Sequence, residues 1–373
     1  MLNKKLLFLA PLSNEKEPSK DGYINAAEGI KQILISLNLK DLKIINLSLP
    51  YNPEEIPDHQ YEIAYLIINP FMFTQPGFQA IMKQMLGRVD KVFMQVVWEL
   101  SDFPILWNWM WGYLGFTGFL TPSIFLENLI KKKTTKPVFR APHFVNTDIF
   151  KPIDFDKKIK EDKFTVLHIG QWTERKGNRD ALIAFVRALG DKEDCQLILK
   201  YTEMSKFEVD AEAEIRSITY RNTQDLKANI YTNIQNNTLS ELVGLYNSAS
   251  LLLFCSRGEG FGLPPAEVMA CGIPVIYTDF SSMPEVCEAP GNVAISCIED
   301  EAVGMSHFGY MKGSKYGVPK ISDLITALEI KYQFWKNDRK AYYEQALKGR
   351  DVIIQRYGKK SIQEYMLNFI NNA

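Results

Sequence analysis

One segment, residues 251–274, constrains the fold of this chain more than any other. Its apolar run Leu251–Cys255 predicts a buried strand, which ends in the glycine-rich turn Gly258–Gly262. A short helix is predicted next, over Ala266–Ala270, and Gly272 closes it. A strand that turns directly into a helix is the repeating unit of α/β proteins. Its turn also forms an anion site, since backbone N–H groups and the helix N-terminus face the same point.

Two carboxylates flank this anion site. Glu259 lies in the turn, and Glu267 is placed in the first turn of the expected helix. Because carboxylates repel phosphate, we expect these two to accept hydrogen bonds from hydroxyl groups instead. A phosphate flanked by hydroxyl-bearing rings describes a nucleotide sugar. The alternative is a tight structural turn with two solvated glutamates.

The rest of the chain alternates short apolar runs with amphipathic stretches, which predicts parallel sheets with helical crossovers. The strands expected in the first half are Lys5–Ala10, Lys43–Leu47, Ile63–Ile68, Val92–Val97 and Val138–Ala141, with a helix at Ile24–Leu37. Those expected in the second half are Phe164–Ile169, Gln196–Lys200, Leu251–Cys255 and Pro274–Thr278, with helices at Arg179–Leu189 and Ser240–Ser248. We therefore expect two Rossmann-like layers with a ligand cleft between them.

Composition excludes some classes of function. The 373 residues carry a net charge of −1, which argues against bulk electrostatic binding of nucleic acid. The five cysteines are odd in number and show no close-paired spacing, so we expect them reduced, in a cytoplasmic protein without a zinc site.

An uncharged aromatic stretch, Phe103–Leu120, lies at the lower limit of membrane-spanning length. Pro104, Asn108 and three glycines interrupt it, which favours a buried or acceptor-facing helix followed by a short strand. Peripheral membrane contact is the alternative, assisted by the lysines at 131–133 and Lys136.

A second cluster follows the first strand of the second half. Gly170 lets the chain leave that strand tightly, and Lys176 comes next to Gly177 at the start of the following helix. A lysine at this place reaches phosphates bound at the neighbouring turn. Arg175 is the alternative cation, and solvated surface cations are the structural alternative.

Two other nucleotide motifs fit less well. A nicotinamide fingerprint needs a third glycine one residue later than Gly262 provides, although Asp279 lies where a ribose-binding acid would be. A P-loop is excluded, because no Gly-Lys-Ser or Gly-Lys-Thr follows the turn.

These motifs resemble glycosyltransferase family 4, the glycosyl transferases group 1. Its E-x7-E element matches Glu259 and Glu267, and its glycine…lysine-glycine element matches Gly170 with Lys176-Gly177. Residues 141–152 and 120–123 resemble the family's segments just before the second domain. The resemblance implies the GT-B fold, two Rossmann-like domains facing each other across a cleft, and sugar transfer with retention. The C-terminal helix is then expected to pack back toward the first domain.

The domain limits that follow are 1–150 for an N-terminal acceptor-binding domain, 151–163 for a polar linker, 164–345 for a nucleotide-sugar-binding domain and 346–373 for a helical tail. The resemblance implies a nucleoside-diphosphate sugar as donor and a glycan, lipid-linked or other hydroxyl acceptor. No metal or cofactor is expected, and Asp154-Phe155-Asp156 is interpreted as a chance D-x-D pattern in the linker.

Roles for single residues also follow from the resemblance. It implies that Glu267 holds the ribose, Glu259 contacts the donor sugar and Lys176 stabilises the leaving diphosphate. The residues expected to bind the donor are Gly22, Gly170, Gln171, Arg175, Lys176, Tyr231, Glu259, Gly260, Phe261, Gly262, Leu263 and Glu267. Among them, the backbone N–H groups of 261–263 are expected to hold the distal phosphate, and the loop 231–235 to lie near the base.

The chain also departs from the family pattern. Gln171 stands where an arginine is usual, and Trp98-Glu99 where a histidine is usual. Glu99 is therefore the expected sugar or acceptor contact, and His143 is expected to be structural. A single Gly22 stands where a pair is common. These departures keep open the alternative of a catalytically weak GT-B protein that binds a nucleotide or a partner.

Overall fold

The computed structural model describes residues 4–13, 22–48, 60–69, 72, 76–104, 107, 111–112, 114–202, 211–223, 225–302 and 313–373. The chain divides into two compact units, the first built from Met1–Asn146 with Arg356–Ala373 and the second from Thr147–Gly304 with Gly313–Gln355. Each unit carries a parallel six-stranded sheet, which confirms the expected α/β class. The domain limits and linker inferred from sequence stay predictions.

The described elements follow in chain order. Up to residue 140 they are β1 Lys5–Ala10, α1 Gly22–Ser36, β2 Asp41–Asn46, β3 Tyr61–Ile67, α2 Pro76–Leu86, β4 Val89–Gln95, β5 Gly118–Thr121, α3 Ile124–Lys131 and β6 Val138–Arg140. Up to residue 254 they are α4 Phe155–Lys158, β7 Phe164–Gln171, a 3₁₀ turn Glu174–Lys176, α5 Asn178–Leu189, β8 Cys195–Thr202, α6 Ala211–Asn222, β9 Asn229–Asn233, α7 Leu239–Ser248 and β10 Leu251–Phe254. The last are α8 Leu263–Ala270, β11 Val275–Thr278, α9 Met283–Cys287, β12 Val293–Ile295, β13 Cys297–Glu301, β14 Lys315–Pro319, α10 Ile321–Asn337, α11 Arg339–Tyr357 and α12 Lys359–Asn372.

The first sheet has the order β2-β1-β3-β4-β5-β6, and the final helix α12 packs on it. Phe369 of α12 is fully buried, with its ring centroid 5.6 Å from that of Tyr65 and 5.1 Å from that of Phe93. These edge-to-face ring contacts lie in one apolar core with β1 and α1. The expectation that the C-terminal helix returns to the first domain is therefore confirmed.

The second sheet has the order β12-β11-β10-β7-β8-β9. Its first strand, β7, lies between β8 and β10, so the chain direction across the sheet reverses between β7 and β10. This is the strand order of a Rossmann fold, and ligands bind such sheets outside the carboxyl ends of the strands at the reversal point. The turns that follow β7 and β10 are the two turns singled out from the sequence.

Three sequence expectations about the second unit were wrong in detail. Helix α8 begins at Leu263, earlier than expected, because prolines are favoured in the first turn of a helix. Glu267 is consequently in its second turn. Tyr231 lies within strand β9, an exposed edge strand, and not in a loop. The hairpin β13–β14 was missed, because its first strand is polar and mostly exposed.

The described aromatic residues between Trp98 and Phe119 are buried against one another. The ring centroids of Trp98 and Trp107 lie 4.9 Å apart, and those of Trp111 and Phe119 lie 4.7 Å apart. Residues 105–106, 108–110 and 113 of this stretch lie outside the described part of the chain. Within that part, no helix combines the length and apolar character needed to cross a bilayer.

Candidate functional site

The cations of the candidate site come from the turn after β7. Arg175 and Lys176 lie in the 3₁₀ turn, which ends at Gly177 with φ +66°. A Cβ at Gly177 would lie 2.1 Å from the carbonyl oxygen of Cys255, so only glycine allows this turn to approach the end of β10. Gly170 has a related role, because a Cβ there would lie 3.1 Å from Cβ of Lys176. Both glycines named from the sequence thus bring the Lys176 side chain to its place.

The two turns meet at Glu259. Its Oε1 atom accepts hydrogen bonds from Lys176 Nζ at 2.5 Å, Arg175 Nη1 at 3.3 Å and Ser256 Oγ at 2.5 Å. Burial by itself would raise the pKa of Glu259, but the Lys176 and Arg175 charges and these hydrogen bonds outweigh it, so the pKa lies below its ordinary value. Glu259 therefore stays ionised in the folded protein. Sequence spacing did not reveal that both expected cations share this carboxylate.

The backbone of the Glu259 turn is fixed from two sides. Glu259 N–H donates to Ser281 Oγ at 2.9 Å, and Ser282 Oγ donates to the carbonyls of Glu259 and Phe261. Arg175 Nη1 donates to the carbonyl of Gly258 at 2.7 Å. The turn is therefore held in one conformation before α8 begins.

The N-terminus of α8 opens at the end of this turn. Gly262 is its N-cap with φ +96°, and a Cβ there would meet Met283 Cε at 2.3 Å. Gly260, Phe261 and Gly262 are buried, and Leu263 starts the helix. Pro264 and Pro265 carry no N–H, so among the first three residues of α8 only Leu263 offers a backbone donor. Together with the N–H of Gly262, it makes this end suited to an anion.

Glu267 lies in a different electrostatic setting from Glu259. Burial raises its pKa to about 8, against a hydrogen bond from Tyr246 that lowers it. Tyr246 Oη donates to Glu267 Oε2 at 3.0 Å. The two carboxylates of the E-x7-E element thus differ in their partners. Glu259 is ionised and paired with two cations, whereas Glu267 accepts a hydrogen bond from a phenol.

A buried network that the sequence did not suggest ties the two turns together. Arg257 donates from Nε and Nη2 to Asp180 of α5 and from Nη1 to Glu174 of the 3₁₀ turn. It also donates to Tyr316 of β14, and its backbone N–H donates to the carbonyl of Arg175 at 2.7 Å. Arg257 thus joins both turns, α5 and the hairpin, through partners too distant in sequence to be recognised there.

His168 of β7 is a second buried group without a sequence signal. It contacts the carbonyl of Leu253 through Nδ1 at 2.8 Å and Oδ1 of Asn178 through Nε2 at 3.1 Å. Burial lowers its pKa to about 4, although both contacts favour the protonated ring. Asn178 in turn donates to the carbonyl of Gln171, so this pair supports the start of the cation turn.

The remaining expected site residues are placed as follows. Gln171 ends β7 with an exposed side chain. Tyr231 is half exposed on β9. Gly22 and Glu99 belong to the first unit, where Gly22 is the first residue of α1 and not part of the loop before it, and Glu99 follows β4 half-buried. That these residues contact a bound donor or acceptor stays a prediction.

Two further sequence interpretations concern polar residues outside these turns. Asp154 of the D-x-D pattern caps the N-terminus of α4, accepting from the N–H of Lys157 at 2.9 Å. His143 is buried beside Gln95, and burial lowers its pKa to about 3. Across the described ranges, no three His, Cys, Asp or Glu side chains gather as metal ligands would.

The segment that carries both turns matches a known family. The model for "Glycosyl transferases group 1" matches residues 150–297. These residues form a glycosyl transferases group 1 domain. The resemblance inferred from the E-x7-E and glycine…lysine-glycine elements is thereby confirmed, and the match contains Lys176, Glu259 and Glu267.

Curated relatives of the group 1 domain match over short segments. The "Serotype-specific mannosyltransferase WbdA" of Escherichia coli is 47% identical over 49 residues, which are 13% of this chain and 6% of that protein. The "O-antigen chain mannosyltransferase B" of Escherichia coli is 44% identical over 54 residues, 14% of each chain. The matched segments thus span a small part of these relatives' length.

Solved structures match the whole chain. The Anabaena protein Alr3699/HepE, in complex with UDP and glucose, has a TM-score of 0.66 at 13% identity and covers 99% of this chain and 100% of its own. A glycosyltransferase from Rickettsia africae has a TM-score of 0.66 at 12% identity, covering 99% and 98%. Sucrose-phosphate synthase from Thermosynechococcus elongatus has a TM-score of 0.64 at 16% identity, again covering 99% and 98%. These likenesses confirm the GT-B fold.

Proposed function

We propose that this protein is a retaining glycosyltransferase that moves a sugar from a nucleoside-diphosphate sugar to a hydroxyl acceptor. The observation that carries the proposal is the meeting of Lys176, Arg175 and Glu259 at the N-terminus of α8, inside a group 1 domain. A diphosphate bound there would face two cations and a helix N-terminus, while the carboxylates accept from sugar hydroxyls.

The chemistry follows from how charge develops during transfer. When the bond between the sugar and the diphosphate breaks, negative charge grows on the departing phosphate oxygen. Preorganised cations and N–H donors stabilise that charge without further rearrangement. Lys176, Arg175 and the backbone N–H groups of residues 261–263 would fill this role, so the proposed reaction needs no metal ion. Glu259, held by three donors at Oε1, would present its other oxygen to the sugar.

Ribose binding is proposed for Glu267. It lies on α8 about one helical turn beyond Leu263, the first residue of the helix, and two adjacent ribose hydroxyls match the acceptor capacity of one carboxylate. The base is proposed to lie near residues 231–235, which form the last part of β9 and the two residues after it. The similarity to two mannosyltransferases supports including a mannose donor in any screen.

The acceptor is proposed to be a glycan, a lipid-linked glycan or another hydroxyl compound, with Glu99 among its contacts. The alternative is a GT-B protein that binds a nucleotide or a partner with little turnover. Gln171 is the residue that favours it, because its exposed side chain carries no charge toward the diphosphate.

The test begins with thermal shifts in the presence of UDP-, GDP- and ADP-sugars, mannose donors included. The stabilising donor is then incubated with candidate hydroxyl acceptors, and release of the diphosphate and the anomeric form of the product are measured. Lys176→Met and Glu259→Gln should lower kcat by about 10²–10³-fold, the usual loss for one stabilising group. Lys192→Met, at an exposed ion pair of the same unit, is the control and should keep full activity. Binding without turnover for every donor would favour the alternative, and an inverted product would refute retention.

A further inference from the structure

We infer that Tyr246 is a positioning residue for ribose recognition, acting through Glu267. The inference rests on the proposed role of Glu267 and adds a residue that the E-x7-E element does not contain. Tyr246 lies near the C-terminal end of α7, and its hydroxyl donates to Glu267 Oε2 at 3.0 Å.

The position of the Tyr246 hydroxyl is set by packing. The side chain is 1% exposed, and the Phe150 ring lies against it with centroids 5.9 Å apart. The next residue, Asn247, fixes the end of α7 by accepting from the N–H of Ile153 and donating to the carbonyl of Lys151, both at 3.1 Å. A ring held in this way places its hydroxyl at one point.

The direction of the hydrogen bond is also set. Burial and the neighbouring Glu267 charge raise the pKa of Tyr246 well above its ordinary value, so the phenol keeps its proton and donates. Glu267 has no cation among the groups that shift its pKa, in contrast to Glu259. A free glutamate rotates about its last bond, but a donor on Oε2 leaves Oε1 directed at a defined place. Two ribose hydroxyls then meet a carboxylate that is already oriented.

Binding measurements with matched nucleotides separate this role from a structural one. UDP, GDP and ADP are titrated by calorimetry at about pH 9, above the Glu267 pKa of about 8, where its carboxylate is ionised. The tightest binder is then compared with its 2′,3′-dideoxy form. Tyr246→Phe keeps the ring and removes the donor. It should weaken the ribonucleotide about tenfold, the usual effect of a hydrogen bond to a charged group, and the dideoxynucleotide less than twofold. Tyr342→Phe is the matched control: its buried hydroxyl donates to the carbonyl of Ser250, also at 3.0 Å, and neither affinity should change.

The outcomes are distinguishable. Equal weakening of both nucleotides by Tyr246→Phe, or no weakening, overturns the inference while leaving the proposed function intact. Equal affinity of the unmodified protein for both nucleotides overturns the ribose role of Glu267 itself. Should Tyr246→Phe not fold, Phe150→Leu replaces it. That change loosens the ring without touching the hydroxyl, and it should lower the ribose preference by a smaller factor. An unchanged preference in Phe150→Leu would count against the inference.

Discussion

Gly177→Ala tests whether the cation turn is seated as closely on β10 as the structure shows. Alanine at φ +66° costs about 1–2 kcal/mol, because L side chains rarely adopt this conformation. The new Cβ would also lie 2.1 Å from the carbonyl oxygen of Cys255, a backbone atom that cannot rotate away. Forcing the turn outward adds about 1–3 kcal/mol. The free energy of unfolding of the second unit should therefore fall by about 2–5 kcal/mol.

The assay is thermal unfolding, supported by urea titration. In a unit of this size each kcal/mol lowers Tm by about 2–4 °C, so the Tm of Gly177→Ala should lie roughly 4–20 °C below that of the unmodified protein. Gly244→Ala is the control, since this glycine lies inside α7 and, apart from the backbone of its own helix, no atom lies within 4 Å of a new Cβ. Alanine there should raise the unfolding free energy by up to about 1 kcal/mol. A Gly177→Ala protein that melts within about 2 °C of the unmodified one, judged on the same scale, would refute the close approach and the seating of Lys176 derived from it.

Three further predictions concern charge, packing and pH. Asp180→Ala should lower the urea-derived unfolding free energy by about 3–5 kcal/mol, because it leaves the buried guanidinium of Arg257 without its main partner. Phe369→Ala should lower the stability of the first unit by about 3–5 kcal/mol in the same assay, whereas Tyr220→Ala, at an exposed ring, should change little. The pKa of Glu267 is about 8, so its carboxylate is progressively protonated below that pH. The affinity ratio of ribo- to dideoxynucleotide, measured by calorimetry, should therefore fall toward one as pH drops from about 9 to 6, and Glu267→Gln should remove the trend.

The strands that sequence predicted well are those buried on both faces. β1, β10 and β11 are near-continuous apolar runs, as strands in covered parallel sheets usually are, and β7 is buried over its first five residues. The edge strand β9 has only intermediate and exposed residues, so no apolar run marks it. The start of α8 was misplaced for another reason, because its prolines suggest a break although the first helical turn accepts them.

In the candidate site, too, the residues found from sequence are those with a local pattern, and the residues missed are those without one. Glu259 and Lys176 were found because each lies in a short sequence motif whose spacing and residue types indicate a nucleotide-sugar site. Arg257 and Tyr246 were missed because their partners lie in other elements and are brought near only by the strand order and helix packing. A single sequence holds no mark of such long-range pairs.

The placement of Arg175 changes how the departure at Gln171 is understood. The family pattern expects a cation directly after Gly170, and the exposed Gln171 side chain supplies none. Arg175, four residues later, reaches Glu259 Oε1 at 3.3 Å beside Lys176. One ionised carboxylate between two cations leaves a net charge of one unit, which favours a doubly charged diphosphate more than a lone Lys176–Glu259 pair would. We therefore propose that Arg175 supplies from the 3₁₀ turn the cation that the strand end lacks, which weakens the case that Gln171 makes for a protein with little turnover.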